Sequence, residues 1–90
     1  MLELKWRRIA RRDLDAIVDY ISDDNADAAE ALREEIEHKV ADLPLQPKMY
    51  KPGRVDGTRE IVMRGSYIVV YEENDCFVRV LRILHAARNW

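Results

Sequence analysis

The sequence of 90 residues predicts an α+β domain with a helical hairpin packed on an antiparallel sheet, in the order β-α-α-β-β-β. Three observations predict this class: period-two alternation at the N-terminus, helical apolar spacing through the first half of the chain, and strand-like segments joined by short turns in the second half. A chain of this length suffices for one small domain, over residues 1–90, and not for two.

One strand and two helices are predicted for the first half of the chain. Apolar and charged side chains alternate over residues 2–6, which is typical of a half-buried strand. Apolar residues then recur at helical spacing over residues 9–22 and 26–43, with a polar break between the two segments. Pro44 prevents the second helix from continuing. Because the connection is short, the two helices should run antiparallel.

A long loop and three strands are predicted for the second half of the chain. Residues 44–58 contain all three prolines and two of the three glycines, and a loop of that length in a small domain is often functional. Strands follow over residues 59–63, 67–72 and 77–84, joined by turns short enough for antiparallel hairpins. The first strand is expected to pair with one of these three.

The net charge of -2 conceals a strong segregation of charged residues along the chain. Residues 1–12 carry five cations and one acid, residues 13–42 carry eleven acids and two cations, and residues 43–90 carry eight cations and five acids. A protein that binds a nucleic-acid backbone usually has a clear excess of cations. The total charge therefore argues against general nucleic-acid binding, while a local basic patch stays open.

The sequence also argues against membrane, secreted and metal-binding proteins. No apolar run approaches the length that a bilayer crossing requires, and the N-terminus lacks the apolar core of a secretory signal. The single cysteine, Cys76, cannot form an internal disulfide, which fits a reducing cytoplasm. One cysteine and two histidines are too few for a typical structural zinc site. We expect a cytoplasmic protein without a metal or other cofactor.

Three side chains of the last predicted strand are candidates for chemistry: Arg79, Arg82 and His85. Simple alternation places Arg79, Ile83 and His85 on one face of the strand, and Arg82 on the other face with Val80. A histidine can act as acid or base near neutral pH, and arginines can stabilise a pentacovalent phosphate. The alternative is structural: the histidine caps the strand, and the arginines pair with carboxylates because an unpaired buried charge is costly.

Two basic regions are candidates for binding. The first lies in and after the long loop, close in sequence to three tyrosines, and consists of Lys48, Lys51, Arg54 and Arg59. Cations interleaved with aromatic rings suit single-stranded RNA, and the alternative is a solvated loop. The second region, at the start of the first helix, consists of Arg7, Arg8, Arg11 and Arg12 and favours contact with an acidic partner. The residues alone leave an RNase and a protein-binding module both open.

Four segments of the chain, in the same order, resemble the RelE/ParE toxin superfamily: residues 12–21, 52–62, 67–71 and 83–90. The resemblance covers nearly the whole chain and implies a small bacterial toxin of a type II toxin–antitoxin module. Such modules are often carried on plasmids as stabilisation systems. The expected partner is a cognate antitoxin whose disordered tail wraps the toxin.

Members of this superfamily have two main activities. RelE-type toxins bind the ribosomal A site and cut mRNA there, with the 2′-hydroxyl of the RNA as nucleophile. ParE-type toxins lack that chemistry and block DNA gyrase, so that double-strand breaks are trapped.

Three features favour the ParE type. RelE-type ribonucleases usually carry an arginine three residues before a tyrosine that matches Tyr71, and Ile68 stands at that position here. Ala86 and Ala87 follow His85, where those ribonucleases carry further basic, histidine or tyrosine side chains. A slightly acidic chain is also poorly suited to approach ribosomal phosphates.

The resemblance therefore favours a toxin that inhibits DNA gyrase by protein–protein contact and has no enzymatic activity. The basic residues expected to bind the target or the antitoxin are Arg8, Arg12, Lys48, Lys51, Arg54 and Arg59. The alternative is a ribosome-dependent mRNA endonuclease with the ribosome and mRNA as partners. Its candidate residues are His85, Arg82, Arg79 and Lys51. No membrane contact is expected in either case.

Overall fold

Two helices pack on one face of a five-stranded sheet, which confirms the predicted class. The computed structural model describes residues 2–86. In chain order the elements are β1 (Glu3–Trp6), α1 (Arg8–Ser22), α2 (Ala26–Asp42), β2 (Lys51–Pro52), β3 (Thr58–Met63), β4 (Tyr67–Glu73) and β5 (Phe77–His85). The boundaries of the predicted elements fall within one residue of these, and β2 is an additional two-residue strand inside the predicted loop. The residues 87–90 of the resembling C-terminal segment lie outside the described part.

The sheet is mixed, whereas the sequence predicted an antiparallel one. Its strand order is β1-β5-β4-β3-β2. The hairpins of β3, β4 and β5 are antiparallel, but β1 pairs parallel with β5, with Lys5 opposite Arg79. Parallel pairing is possible because β1 leads into the helical hairpin rather than into a tight turn. The last described strand is consequently an interior one, between β1 and β4.

The main hydrophobic core lies between the helices and the sheet. Each helix buries one apolar stripe at helical spacing, as its sequence pattern predicts. The stripes consist of Ala10, Leu14 and Val18 in α1 and of Ala29, Leu32, Ile36 and Val40 in α2. Alternate residues of the strands, among them Val69, Tyr71 and Val80, form the other side of this core.

A β-bulge interrupts β5 at Leu81. The pairing with β4 advances from Val80 to Arg82 in one step, so Leu81 has no partner in β4. An extra residue of this kind shifts the alternation of side chains by one position. Val80 and Ile83 therefore both pack in the core beneath the helices. Simple alternation, which put Ile83 on the face opposite Val80, is wrong beyond the bulge.

The opposite face of the sheet carries a smaller apolar cluster. Ile68, Val70 and Leu84 are buried in it, and Leu81 packs against them. The bulge places Leu84 on this face, opposite Ile68 of β4. Cross-strand apolar pairs of this kind stabilise a sheet directly. Apolar packing therefore holds both faces of β4 and β5.

The two helices begin in different ways. The side-chain oxygen of Asn25 caps α2 by accepting a hydrogen bond from the Ala28 N–H at 3.0 Å. At the start of α1 the cap position is Arg7, which makes no side-chain cap bond, and the first turn contains no acidic residue. Because the positive end of the helix dipole lies there, Arg7 and Arg8 are unfavourably placed for stability.

We expect Arg7→Asp to raise the free energy of unfolding by about 1 kcal/mol. The new carboxylate would accept a hydrogen bond from the first turn of α1 and would face the positive end of the dipole. Urea denaturation followed by circular dichroism measures the change. Lys48→Asp makes the same charge change in an exposed loop and should stay within about 0.5 kcal/mol of the unsubstituted protein. A lower stability for Arg7→Asp would contradict this account of the helix start.

Candidate functional site

A groove opens between α1 and the paired ends of β4 and β5, and we call it the α1–β5 groove. Its cavity volume is about 540 Å³. It is lined by Asp13, Ala16, Ile17, Tyr20, Tyr67, Arg82, Ile83, Leu84 and His85. Tyr20 is 78% exposed on the helix side, and Ile17 beside it is half-buried. The groove therefore combines an apolar helix wall with a guanidinium and an imidazole.

Asp13 ties α1 to β5 at this groove. Its carboxylate accepts hydrogen bonds from Arg82 Nε at 2.7 Å, from Arg82 Nη2 at 3.1 Å and from the Ile83 N–H at 3.0 Å. The pairing with β1 ends where Trp6 meets Val80, so Asp13 supplies an acceptor to the edge of β5 beyond that strand. The hydrogen bond with Asp13 raises the pKa of Arg82. Arg82 is thus a cation held in a fixed position.

His85 and Tyr67 form a cross-strand pair at the end of the groove. Their rings are nearly perpendicular, with centroids 5.4 Å apart, and His85 is exposed. An edge-to-face contact of this kind orients the imidazole. Of the four residues predicted for RNA cleavage, His85 and Arg82 line the same groove.

The other two residues predicted for RNA cleavage lie elsewhere. Arg79 Nη1 donates a hydrogen bond to Glu72 Oε1 at 3.0 Å. Arg79 precedes His85 by six positions in β5, roughly 20 Å in an extended strand. Lys51 lies in β2 at the far edge of the sheet, with its Nζ 4.0 Å from Glu60 Oε1. The four predicted residues therefore do not form one cluster.

Tyr71, the tyrosine matched to the RelE-type pattern, is a core residue. It is fully buried, and its hydroxyl donates a hydrogen bond to the Pro47 carbonyl oxygen at 2.8 Å. Burial raises the pKa of Tyr71 to about 12. The Tyr50 ring meets it edge-on, with centroids 6.5 Å apart. Tyr71 therefore anchors the segment after α2 to the sheet.

Two charged residues of β3 hold the predicted loop. Arg59 Nη1 donates hydrogen bonds to the carbonyl oxygens of Tyr50 at 2.8 Å and Lys48 at 3.4 Å, and its Nε lies 3.7 Å from a carboxylate of β4. Glu60 is 4% exposed, and its carboxylate accepts a hydrogen bond from the Arg54 N–H at 3.1 Å. The loop is thereby fixed to the sheet, and the Arg59 guanidinium is committed to this task.

The other basic residues predicted for binding are exposed: Arg8, Arg12, Lys48, Lys51 and Arg54. The three in the loop alternate with exposed apolar side chains that the sequence analysis did not single out. Together they form what we call the loop patch: Leu45, Lys48, Met49, Lys51, Arg54 and Val55. Large apolar residues outside any helical or strand periodicity were the signal that could have identified it.

Sequence reasoning also missed the α1 side of the groove. Asp13 lies three residues after Ala10 and four before Ile17, at the border of the apolar stripe. A carboxylate at such a position requires a partner, and that requirement was the available signal.

Residues 2–86 contain no group of three histidine, cysteine, aspartate or glutamate side chains placed to hold a metal ion. In the same part of the chain, neither helix has the length and apolar character needed to cross a bilayer.

Comparison with known proteins identifies the family. A family model described as the ParE toxin of the type II toxin–antitoxin system parDE matches residues 4–90. The chain belongs to the ParE toxin family. A Sinorhizobium fredii protein named as a candidate toxin, Y4kP, is 35% identical over 88 residues, which cover 97% of this chain and 91% of that protein. This ParE-family protein is the toxin of a type II toxin–antitoxin module.

Two solved structures resemble this ParE-family toxin. A chain of the chromosomal ParDE toxin–antitoxin system from P. aeruginosa superposes with a TM-score of 0.83 at 27% identity, covering 94% of this chain and 96% of that chain. A chain of the RelBE2 toxin–antitoxin complex from Mycobacterium tuberculosis superposes with a TM-score of 0.62 at 28% identity, covering 93% and 96%. The superfamily predicted from the sequence is confirmed.

The raised pKa of Tyr71 predicts a loss of stability at alkaline pH. The folded-state value, about 12, exceeds the ordinary value of 10.0, so the native protein holds this proton more tightly than the unfolded chain does. The resulting stabilisation is fully present below pH 10 and is lost as the pH rises through about 12. It amounts to about 2–3 kcal/mol.

Urea denaturation of the ParE-family toxin and of Tyr71→Phe across this pH range isolates the effect. Below pH 10 the unsubstituted protein should be the more stable of the two, because Tyr71→Phe loses the hydrogen bond to Pro47. Its advantage should then shrink or reverse as the tyrosine titrates. A difference that stays constant with pH would show that Tyr71 titrates alike in both states.

Proposed function

We propose that this toxin acts in the cytoplasm on DNA gyrase, by protein–protein contact and without catalysis. The observation that carries the proposal is the dispersal of the groups that RNA cleavage would need. Arg79 and Arg82 each pair with a carboxylate, and the Tyr71 hydroxyl is bonded to the backbone inside the core. General acid, general base and cation must all reach one phosphate. Their separation here favours a binding protein over a nuclease.

Two further observations support gyrase as the target. The superposition is closer on the ParDE chain than on the RelBE2 chain, with TM-scores of 0.83 and 0.62. The net charge of -2 also gives the chain little long-range attraction to the dense phosphates of a ribosome. Binding to a protein target does not require a positive net charge.

The loop patch is the proposed contact with gyrase. It intersperses cations with Leu45, Met49 and Val55, which are 67%, 59% and 47% exposed. Protein interfaces combine apolar side chains at their centre with charges at their rim. Arg59 contributes by fixing the loop, which lowers the ordering cost of binding. Arg8 and Arg12 form a separate basic contact at the start of α1.

The α1–β5 groove is the proposed binding site for the antitoxin. The ParDE and RelBE2 neighbours belong to toxin–antitoxin assemblies, which supports an antitoxin as partner of this chain. The apolar wall at Ile17 and Tyr20 suits the apolar face of a helix or strand, and Arg82 and His85 suit acidic residues beside that face. Ordering a disordered tail costs free energy, so contacts beyond the groove are also expected.

Purified toxin should inhibit the supercoiling activity of DNA gyrase in an assay without ribosomes. Lys48→Gln combined with Arg54→Gln should weaken this inhibition by about tenfold, because two cations of the loop patch are lost. Arg33→Gln combined with Arg64→Gln is the matched control. It removes two cations whose surface ion pairs with Asp15 and Glu35 contribute little to stability, and it should inhibit gyrase as the unsubstituted toxin does.

The competing activity is tested with the same proteins. Codon-phased cuts in mRNA on translating ribosomes, with gyrase activity untouched, would establish the ribosome-dependent endonuclease instead. Toxicity retained in folded His85→Ala would count against that nuclease, since His85 is its candidate acid or base.

Tyr20→Ala should weaken the antitoxin complex by about tenfold or more, as expected for an aromatic anchor at an interface. The toxin itself should keep its stability, because Tyr20 is largely exposed. Val62→Ala truncates another exposed apolar side chain, on β3 and outside the groove, and should leave affinity unchanged. Calorimetric titration with the antitoxin encoded beside the toxin measures both. Equal affinities for the two variants would place the antitoxin outside the groove.

A further inference from the structure

Five cations at the junction of β1 and α1 make no ion pair with a carboxylate of residues 2–86. They form the N-terminal cluster, which consists of Lys5, Arg7, Arg8, Arg11 and Arg12. Among the described residues, every other arginine except Arg54 makes an ion pair with an aspartate or glutamate. The chain has 17 acidic residues, so acids are not scarce. In residues 1–12 the five cations face a single acid, Glu3, so this region carries a net positive charge of four.

Ion pairing within the described fold gives no reason for this charge. Of the next acids along the chain, Asp13 binds Arg82 and Asp15 lies 3.1 Å from Arg33. The cluster also occupies the positive end of the α1 dipole, where acids rather than cations stabilise a helix. Because these cations lower the stability of α1 and lack ion-pair partners within the described part of the chain, their presence points to an anionic ligand.

The N-terminal cluster has three arginines on one face of α1, and two of its side chains contact aromatic rings. Three of its arginines lie at positions i, i+3 and i+4 of α1 and so share one face of the helix. The Arg11 guanidinium stacks on Trp6, with Cζ 4.2 Å from the ring centroid. Lys5 Nζ lies 5.1 Å from the centroid of the Phe77 ring. Such cation–aromatic contacts restrict long side chains and reduce the entropy that binding must remove.

The surroundings of the cluster favour a nucleic-acid backbone over an acidic protein surface. Interfaces with nucleic acid are more polar and more positive than protein interfaces, which need an apolar centre. In this region the exposed large apolar side chain is Ile9, at 38%, while cations cover the rings of Trp6 and Phe77. The loop patch differs, since apolar side chains separate its cations.

We propose that the N-terminal cluster binds the phosphate backbone of the duplex DNA that gyrase holds. The inference rests on the proposed function and deepens it, because it gives Arg8 and Arg12 a ligand of their own beside the enzyme. Guanidinium groups bind phosphate oxygens in bidentate fashion and carry no sequence preference in doing so. The eleven acids of residues 13–42 repel the same backbone. The toxin therefore binds DNA in one orientation, in which the start of α1 faces the DNA and residues 13–42 face away from it.

Fluorescence anisotropy of labelled duplex DNA, without gyrase and at low ionic strength, tests the contact. Arg8→Gln combined with Arg12→Gln should lower affinity about tenfold and reduce the slope of log K against log salt by about 2. Lys48→Gln combined with Arg54→Gln is the matched control, because both variants lose two cations. The control should bind DNA within about twofold of the unsubstituted toxin, since its cations lie outside the cluster.

Equal losses of DNA affinity in the two variants would overturn the inference, because binding would then follow net charge alone. Preferential binding of a polyglutamate peptide over DNA would also overturn it and assign the cluster to an acidic protein surface. The gyrase assay separates the two proposals. A toxin that inhibits gyrase but shows no cluster-dependent DNA binding refutes this inference alone. Cluster-dependent DNA binding without gyrase inhibition supports DNA as the ligand of the cluster, and it refutes both gyrase as the target and the gyrase-held DNA as the site of binding.

Thermal denaturation monitors folding of both variants. The Arg8 and Arg12 variant should melt no lower than the unsubstituted toxin, because it removes cations from the start of a helix. Reduced DNA binding in a variant that melts normally therefore reports on the contact itself.

Discussion

The three hydrogen bonds of Asp13 are the contact on which the rest of the molecule depends. They join α1 to β5 just where β1 ends, so that one carboxylate completes the edge of the strand and fixes the arginine of the α1–β5 groove. Without Asp13, the Ile83 N–H would lose its acceptor and Arg82 its counter-charge. The same carboxylate therefore attaches α1 to the sheet and fixes the shape of the groove.

The helices and strands were predictable because residues at their own ends determine where they begin and stop. Prolines end α2, Asn25 caps it, and short polar turns separate the strands of the second half. The bulge at Leu81 was not predictable, since β5 buries apolar residues on both faces and an extra residue leaves its pattern unchanged. The parallel pairing of β1 with β5 depends on packing between distant segments. At the site, the sequence predicts that the β5 arginines can pair with acids, but the partners Asp13 and Glu72 follow only from the three-dimensional packing.

Charge alone groups residues that the structure separates by their surroundings. Arg59 belongs to the basic run of the loop, yet its guanidinium holds backbone carbonyls in place. Lys48 and Arg54 lie among exposed apolar side chains, whereas Arg11 of α1 stacks on the Trp6 ring. A cation is therefore understood from what lies beside it: a carbonyl, an apolar side chain or an aromatic ring. This distinction explains how a chain with a slight negative charge can carry two unlike basic surfaces.

The interior position of β5 determines when the sheet can form during synthesis of the chain. Glu3 pairs with Phe77 and Asp13 binds Arg82, so the contacts that close the fold join segments made early and late in synthesis. Such distant contacts form only after the late segment exists, and until then the helical hairpin has no sheet to cover. A chain interrupted before β5 lacks the interior strand of the sheet and cannot assemble its groove. The α1–β5 groove is thus complete only after β5 has been synthesised.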